Sequence, residues 1–305
     1  MPIARINWDA DRPESKCKFL IYGKAGNGKT WLASSAAACD EMSPALMLSA
    51  AGNPQAIWDW ETKPHTFIIT DLEDLNPFYD WFAAGQPIES VKTGKPYKFV
   101  EEHDLKPPYK TLIIDGMTEL QRLTLSAAGG YKDLPIGVSP AQLQIQNFNP
   151  VLAHTTRMAA LLFGLADEAA TLPVHVIVTS LEWEKMNLKT QTTSIRPLIW
   201  GSGGEELAGY ALSVCRVRQV ASMPKRIRTS FDIKDKKYDR TTVAVWRPLP
   251  HVPFNKDQWN KLGDYTVDPT MQKLVDLIYG ENQGPQQPHL TDPEPTDPTE
   301  ETKHD

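Results

Sequence analysis

The sequence predicts an α/β fold: a mostly parallel sheet with helices on both faces and antiparallel strands along a C-terminal edge. Three observations carry this. Short, near-continuous apolar runs alternate with longer helical stretches, the pattern of strands buried on both faces. A glycine-rich turn, GKAGNGKT (residues 23–30), joins the first such run to the first helical stretch. Late in the chain, three strand-like segments follow one another as an antiparallel edge would.

The elements follow in order. CKFLIY (17–22) is a short buried strand, and KTWLASSAAACDEM (29–42) is a helix opening at the end of the glycine turn. ALMLSA (45–50) and TFIIT (66–70) are two further apolar strands. LNPFYDWFAAG (75–85) reads as a helix stopped at Gly85, and ESVKTGKPYKFVEEH (89–103) as a hairpin around Thr93 and Gly94. TLIID (111–115) is a strand ending in a carboxylate. Residues 139–169 begin with Ser139 as N-cap and Pro140 in the first turn, and are long enough for a helix. VHVIVTS (174–180) is another buried strand. LSVCRVRQV (212–220), RIRTSFDIK (226–234) and TTVAVWRP (241–248) form the antiparallel edge.

A chain of 305 residues, 41% of them hydrophobic, can bury one large core. No apolar run approaches the ~18 residues a membrane span needs, so no membrane partner is expected. The opening MPIARINWDADRPESK, with acidic residues and no apolar h-region, is not expected to be a secretory signal. Cys17, Cys39 and Cys215 lack metal-ligand spacing and read as reduced thiols of a cytoplasmic protein. The net charge of −6 belongs to residues 281–305, which hold seven acids and Lys303; residues 1–280 carry 31 basic and 31 acidic side chains. A nucleic-acid site would therefore be a local patch. Residues 1–280 are expected to form one domain. Residues 281–305, rich in Pro, Gln, Thr and acid, are expected to be a disordered tail, either solubilising or partner-binding.

Gly23, Gly28, Lys29 and Thr30 meet the pattern G-x-x-x-x-G-K-[ST], between a strand and a helix as a phosphate loop requires. Backbone N–H groups of Gly23, Lys24, Ala25, Gly26, Asn27 and Gly28 would cradle β- and γ-phosphate oxygens, aided by the helix N-terminus. Lys29 would reach the same phosphates, and the Thr30 hydroxyl would ligate Mg²⁺. Asp115 ends its strand either as a turn former or as the carboxylate holding Mg²⁺ through water; alongside the phosphate loop, the metal role is favoured. With two strand candidates lying between the motifs, at least one strand should separate the Lys29 and Asp115 strands. That arrangement favours the additional-strand P-loop ATPases over nucleotide kinases and GTPases. No guanine-reading N-K-x-D follows, so ATP is the expected nucleotide.

FLIYGKAGNGKTWLA, PPYKTLIIDGMTEL, LPVHVIVTSLEWEKM and IRPLIWGSGGEELAGYALSVCRV, in that order, resemble the RecA-like nucleotide-binding proteins of bacteriophages, which include the Sak-type single-strand annealing recombinases. The likeness spans roughly residues 16–250 by motif order and strand pattern. It implies a RecA-like P-loop fold, ATP and Mg²⁺, and assembly into rings or filaments. It also implies work on single-stranded DNA beside a single-strand DNA-binding protein, in a host cytoplasm. Thr179 and Ser180 match the polar position that senses the γ-phosphate, with Glu182 and Glu184 following. Residues 185–203 fall where such proteins place DNA-binding loops: Lys185, Lys189 and Arg196 would meet phosphates, and Trp183 or Trp200 would stack on bases. A polar hairpin without a ligand is the equal alternative.

One departure concerns catalysis. The glutamate expected after the strand following the phosphate-loop helix is missing from LMLSAAGNPQ (46–55). The water-activating base is then Glu119 or Glu182, or hydrolysis is slow; Glu119 also reads as a solvated first-turn acid. Lys24 matches the lysine that ParA/MinD-like dimeric ATPases extend to a partner's nucleotide, although a solvated loop lysine is the favoured reading because the second loop position is unconstrained. Arg226 or Arg228 are candidates for a neighbour's γ-phosphate, or charges that blunt an edge strand. Three classes follow: a RecA-like ATPase on single-stranded DNA, a dimeric partitioning ATPase, and a non-hydrolysing ATP-dependent scaffold.

Overall fold

The chain's path is traced in a computed structural model that describes residues 16–90, 94–128, 145–187, 192–199, 203–220, 229–233, 236–249 and 251–280. It opens with β1 (Lys18–Gly23), α1 (Lys29–Ser34), β2 (Ala45–Ser49) and β3 (His65–Ile68). After α2 (Leu75–Ala83) and α3 (Lys98–Glu102) come β4 (Thr111–Asp115), α4 (Met117–Ala128) and α5 (Ile145–Gly164). Next are β5 (His175–Asn187), β6 (Thr192–Pro197), α6 (Gly203–Tyr210) and β7 (Ser213–Val220). The chain closes with β8 (Thr229–Ile233), β9 (Lys236–Val245), β10 (Lys256–Asp257), β11 (Tyr265–Val267) and α7 (Met271–Tyr279).

The fold is α/β, built on a mixed, mostly parallel sheet of order β11-β9-β7-β1-β5-β4-β2-β3. From β3 to β7 every neighbouring pair is parallel, so 212–220 joins the parallel sheet beside β1 instead of the antiparallel edge expected of it, and only β9 turns the edge antiparallel. The central strands are buried on both sides, and their alternation divides the core. Phe19, Ile21, Met47, Ile113 and Ile177 pack against Leu32, Ala33 and Ala36 of the α1 region and Leu274 and Ile278 of α7. Leu20, Leu46, Leu112, Ile114, Val176 and Val178 face the opposite way, onto Trp81 and Phe82 of α2, Leu120 of α4, Phe163 of α5 and Leu207 of α6. Each fully buried Leu, Ile or Phe contributes about 1.5–3 kcal/mol by leaving water.

Three further expectations need correction. The helix from Lys29 ends at Ser34 and continues as a 3-10 turn to Ala38. Ser35 Oγ donates to Leu32 O at 2.7 Å and accepts from Met271 N at 2.8 Å, so this hydroxyl pins the chain where the helix would continue. Residues 98–102 are helix rather than the second arm of a hairpin, although a single bridge joins Glu89 and Pro96. The strand from residue 174 does not stop at 180 but runs on to Asn187, pairing with β6. The helix over 145–164 lies inside its expected range; Ser139, Pro140, Thr93 and the 281–305 tail fall outside the described residues.

At the opposite end of the sheet from the glycine turn, His175 Nδ1 accepts from Cys17 N at 3.0 Å. Burial, with the Lys16 and Lys110 charges, pushes this imidazole down to about 3. Among the described residues no helix is long and apolar enough to cross a membrane.

Candidate phosphate-binding site

Parallel strands deliver their C-terminal ends to one rim, and the register sets what lies there. Ser49 of β2 pairs with Asp115 of β4, while Ile21 and Gly23 of β1 pair with Thr179 and Leu181 of β5. Ser49, Asp115 and Thr179 continue the face that carries Met47, Ile113 and Ile177, so all three point toward α1 and its loop. One strand, β5, separates β1 from β4. The expected separation is present, but the separating strand comes from later in the chain, not from 45–50 or 66–70.

Residues 23–30 turn tightly between β1 and α1. Gly26 (φ 77°) and Gly28 (φ 92°) occupy left-handed conformations that favour glycine. At Gly23 the constraint is space, because an added Cβ would lie 2.3 Å from the Val217 carbonyl oxygen of β7. That carbonyl accepts from Asn27 Nδ2 at 3.1 Å, and Gln219 Nε2 donates to Gly26 O at 3.2 Å. β7 thus braces the loop from behind.

The motif's side chains converge. Lys29 Nζ donates to the carbonyls of Gly23 (3.0 Å) and Lys24 (2.9 Å), which hold it across the loop. Burial pushes its ammonium below the ordinary lysine value, against the pull of Asp115, Glu119 and Glu182. Thr30 Oγ1 lies 3.1 and 3.0 Å from the two carboxylate oxygens of Asp115, 85 positions away. Asp115 is buried; Thr179 Oγ1 donates to it at 2.7 Å and accepts from Gly116 N at 2.9 Å. A hydroxyl and a carboxylate in contact are hard oxygen donors, the kind Mg²⁺ takes together with water and phosphate. Among the described residues no group of three His, Cys, Asp or Glu could enclose a metal alone, so an ion here would take its remaining oxygens from phosphate and water.

Thr179 and Ser180, alike in sequence, are separated by strand alternation. Ser180 Oγ lies 3.1 Å from Thr118 Oγ1 and donates to Leu181 O at 3.0 Å, on the α4 side away from Asp115. Thr179 is the member that meets the site. Glu119, in the first turn of α4, sits over Gly116: a Cβ there would lie 2.9 Å from Glu119 Oε2. Its side chain is 24% exposed and 3.8 Å from Arg122. Glu182 is only 1% exposed, and Arg216 grips both of its oxygens, Nε at 2.9 Å and Nη2 at 3.1 Å. Its neighbour Lys24 lies 4.0 Å away, and 3.6 Å from Glu184.

After β2, where the expected glutamate is missing, Ala50 and Ala51 donate to the Asp115 carbonyl at 2.9 and 3.3 Å. Residues 182–187 pair with 192–197 as an antiparallel hairpin. On it the Arg196 guanidinium lies 4.3 Å and Lys185 Nζ 5.6 Å from the Trp183 ring. Lys189, Trp200, Arg226 and Arg228 lie outside the described residues. One contributor, Arg216, gave no signal in the sequence, since only folding places it beside Glu182.

The chain matches no protein-family model, and no curated protein aligns with it significantly.

Proposed function

We propose that this chain is a RecA-like P-loop ATPase that binds Mg·ATP and acts on single-stranded DNA as a ring or filament, in phage recombination or replication, in the cytoplasm. The observation that carries the nucleotide reading is the Thr30–Asp115 contact at 3.0–3.1 Å. A loop hydroxyl set against a buried strand-end carboxylate is the pair of hard oxygen donors that magnesium chemistry would use. Bound Mg²⁺ supplies charge neutralisation for the triphosphate. The loop amides orient the phosphates, Lys29 offsets their charge, and Asp115 keeps Thr30 aimed at the metal position while Thr179 fixes Asp115. Glu119, partly exposed beside Gly116, is better placed than Glu182 to accept a proton from water. DNA contact is assigned to the Trp183, Lys185 and Arg196 face of the hairpin, where an aromatic ring and two cations lie together.

A non-hydrolysing scaffold is the second reading. It is favoured by the carboxylate-free turn after β2 and by the capture of both Glu182 oxygens. Titration calorimetry of ATP with and without magnesium, on wild type and Lys29→Ala, tests binding. Affinity that ignores magnesium, or survives Lys29→Ala, sinks the proposal. Turnover stimulated by single-stranded DNA supports the first reading, and binding without turnover supports the second.

A further inference from the structure

The hairpin of β5 and β6 is not a separate appendage. β5 runs unbroken from Thr179, which holds Asp115, to Glu182, Glu184 and Asn187. Alternation gives this ribbon two unlike faces. Trp183 and Lys185, with Arg196 directly across from Trp183, form a cationic aromatic face. Glu182 and Glu184 form the other, and there the phosphate loop's own Lys24 meets them.

The two glutamates differ in kind. Glu182 is buried and held bidentately by Arg216, whose side chain is 14% exposed, so this pair is a fixed anchor. The Glu184–Lys24 pair is exposed on both sides, 52% and 62%, and at 3.6 Å is weak and screened by salt. Lys24 is also the second residue of the loop that would wrap a triphosphate, an anion of far higher charge than one carboxylate. Holding Glu184 and neutralising a triphosphate are therefore competing uses of a single ammonium.

We infer that Lys24 is an exchangeable latch: it ties the acidic face of the β5–β6 hairpin to the phosphate loop and releases Glu184 when the loop binds a nucleoside triphosphate. This rests on the nucleotide reading above and adds the route by which occupancy reaches the hairpin. Linkage makes the coupling reciprocal, so a partner that draws the hairpin away from Lys24 tightens triphosphate binding.

The latch predicts opposite signs for two substitutions. Glu184→Gln frees Lys24, so Mg·ATP should bind about 2–5-fold tighter, the size of an exposed ion pair. Lys24→Ala should bind it more weakly. Both should speed amide hydrogen exchange in residues 182–187 and 192–197 without nucleotide, by a similar factor. ATP should speed exchange there in wild type and add nothing in Glu184→Gln. The experiment is calorimetry plus hydrogen exchange on the full chain and both variants, at low and 0.5 M salt, with high salt expected to shrink the wild-type difference. If wild type shows no magnesium-dependent ATP binding, the nucleotide reading falls and takes the latch with it. If wild type binds ATP but Glu184→Gln matches it in affinity and hairpin exchange, the latch alone is overturned.

Discussion

Replacing Asp115 with Asn separates the folding role of this carboxylate from its chemical one. The side chain is 3% exposed, and hydroxyls of Thr30 and Thr179 donate to it at 2.7–3.1 Å. Hydrogen bonds to a charged acceptor contribute about 1.5–3 kcal/mol each. Against them stands a desolvation cost of several kcal/mol for a buried carboxylate that, among the described residues, no cation contacts directly. An amide of the same shape keeps an oxygen for Thr179, turns its NH₂ toward Thr30, and removes the buried charge. The two changes nearly cancel, so stability without ligand should shift by no more than about 1 kcal/mol either way. Magnesium-supported nucleotide binding should suffer far more. A carboxylate that holds a metal through water supports about 10–100-fold in affinity. Thermal or urea unfolding of the nucleotide-free protein, with calorimetry of ATP across a magnesium series, measures both. A variant that unfolds several kcal/mol more easily would show Asp115 to be structural. One that keeps its full magnesium dependence would refute the metal assignment.

Four further outcomes follow from the geometry. Glu182→Gln strips the partly buried Arg216 of its charge partner and should destabilise the fold by about 1–3 kcal/mol in denaturant unfolding. Glu119→Gln should leave stability unchanged while slowing any ATP turnover about 10²–10⁴-fold; the reverse pattern would exchange their roles. Gly23→Ala drives a methyl group onto the Val217 carbonyl, 2.3 Å from the new Cβ, and should cost about 1–3 kcal/mol by thermal unfolding and weaken ATP binding. His175 has its folded value at about 3 against an ordinary 6.5, so the unfolded chain binds the extra proton first. Stability should be unaffected by this group above the unfolded value and fall by up to about 1.4 kcal/mol per pH unit as pH drops from there toward 3. His175→Gln should flatten that slope.

Much of this arrangement was legible in the residues. β1, β2, β4 and the start of β5 are short apolar runs whose burial needs no knowledge of partners. The loop of residues 23–30 carries its conformational demands in Gly26 and Gly28. What the sequence left undecided depended on register or on distant partners. Thr179 and Ser180 are chemically alike, and only the phase of β5 against β1 and β4 gives one to Asp115 and the other to Thr118. The early end of α1 depends on Met271, more than two hundred residues away, meeting the Ser35 hydroxyl. The hairpin was an open alternative because residues 181–187 lack the apolar continuity that marks the strand before them. α6 and α7 went unassigned: α6 opens on Gly203 and Gly204, poor helix formers. α7 does carry the signal, with Met271, Leu274, Val275 and Ile278 at helical spacing and the Thr270 hydroxyl accepting from Lys273 N.

The place of β1 bears on how a nascent chain matures. Among the described strands β1 sits between β5 and β7, neither of which exists until more than 150 residues have followed it. At about 5–20 residues per second, that leaves Phe19, Leu20 and Ile21 without sheet neighbours for on the order of ten seconds or more. Such late closure makes for slow assembly and an early need for shelter from chaperones. The loop that follows β1 likewise gains its brace from Val217 and Gln219 only once β7 has been made.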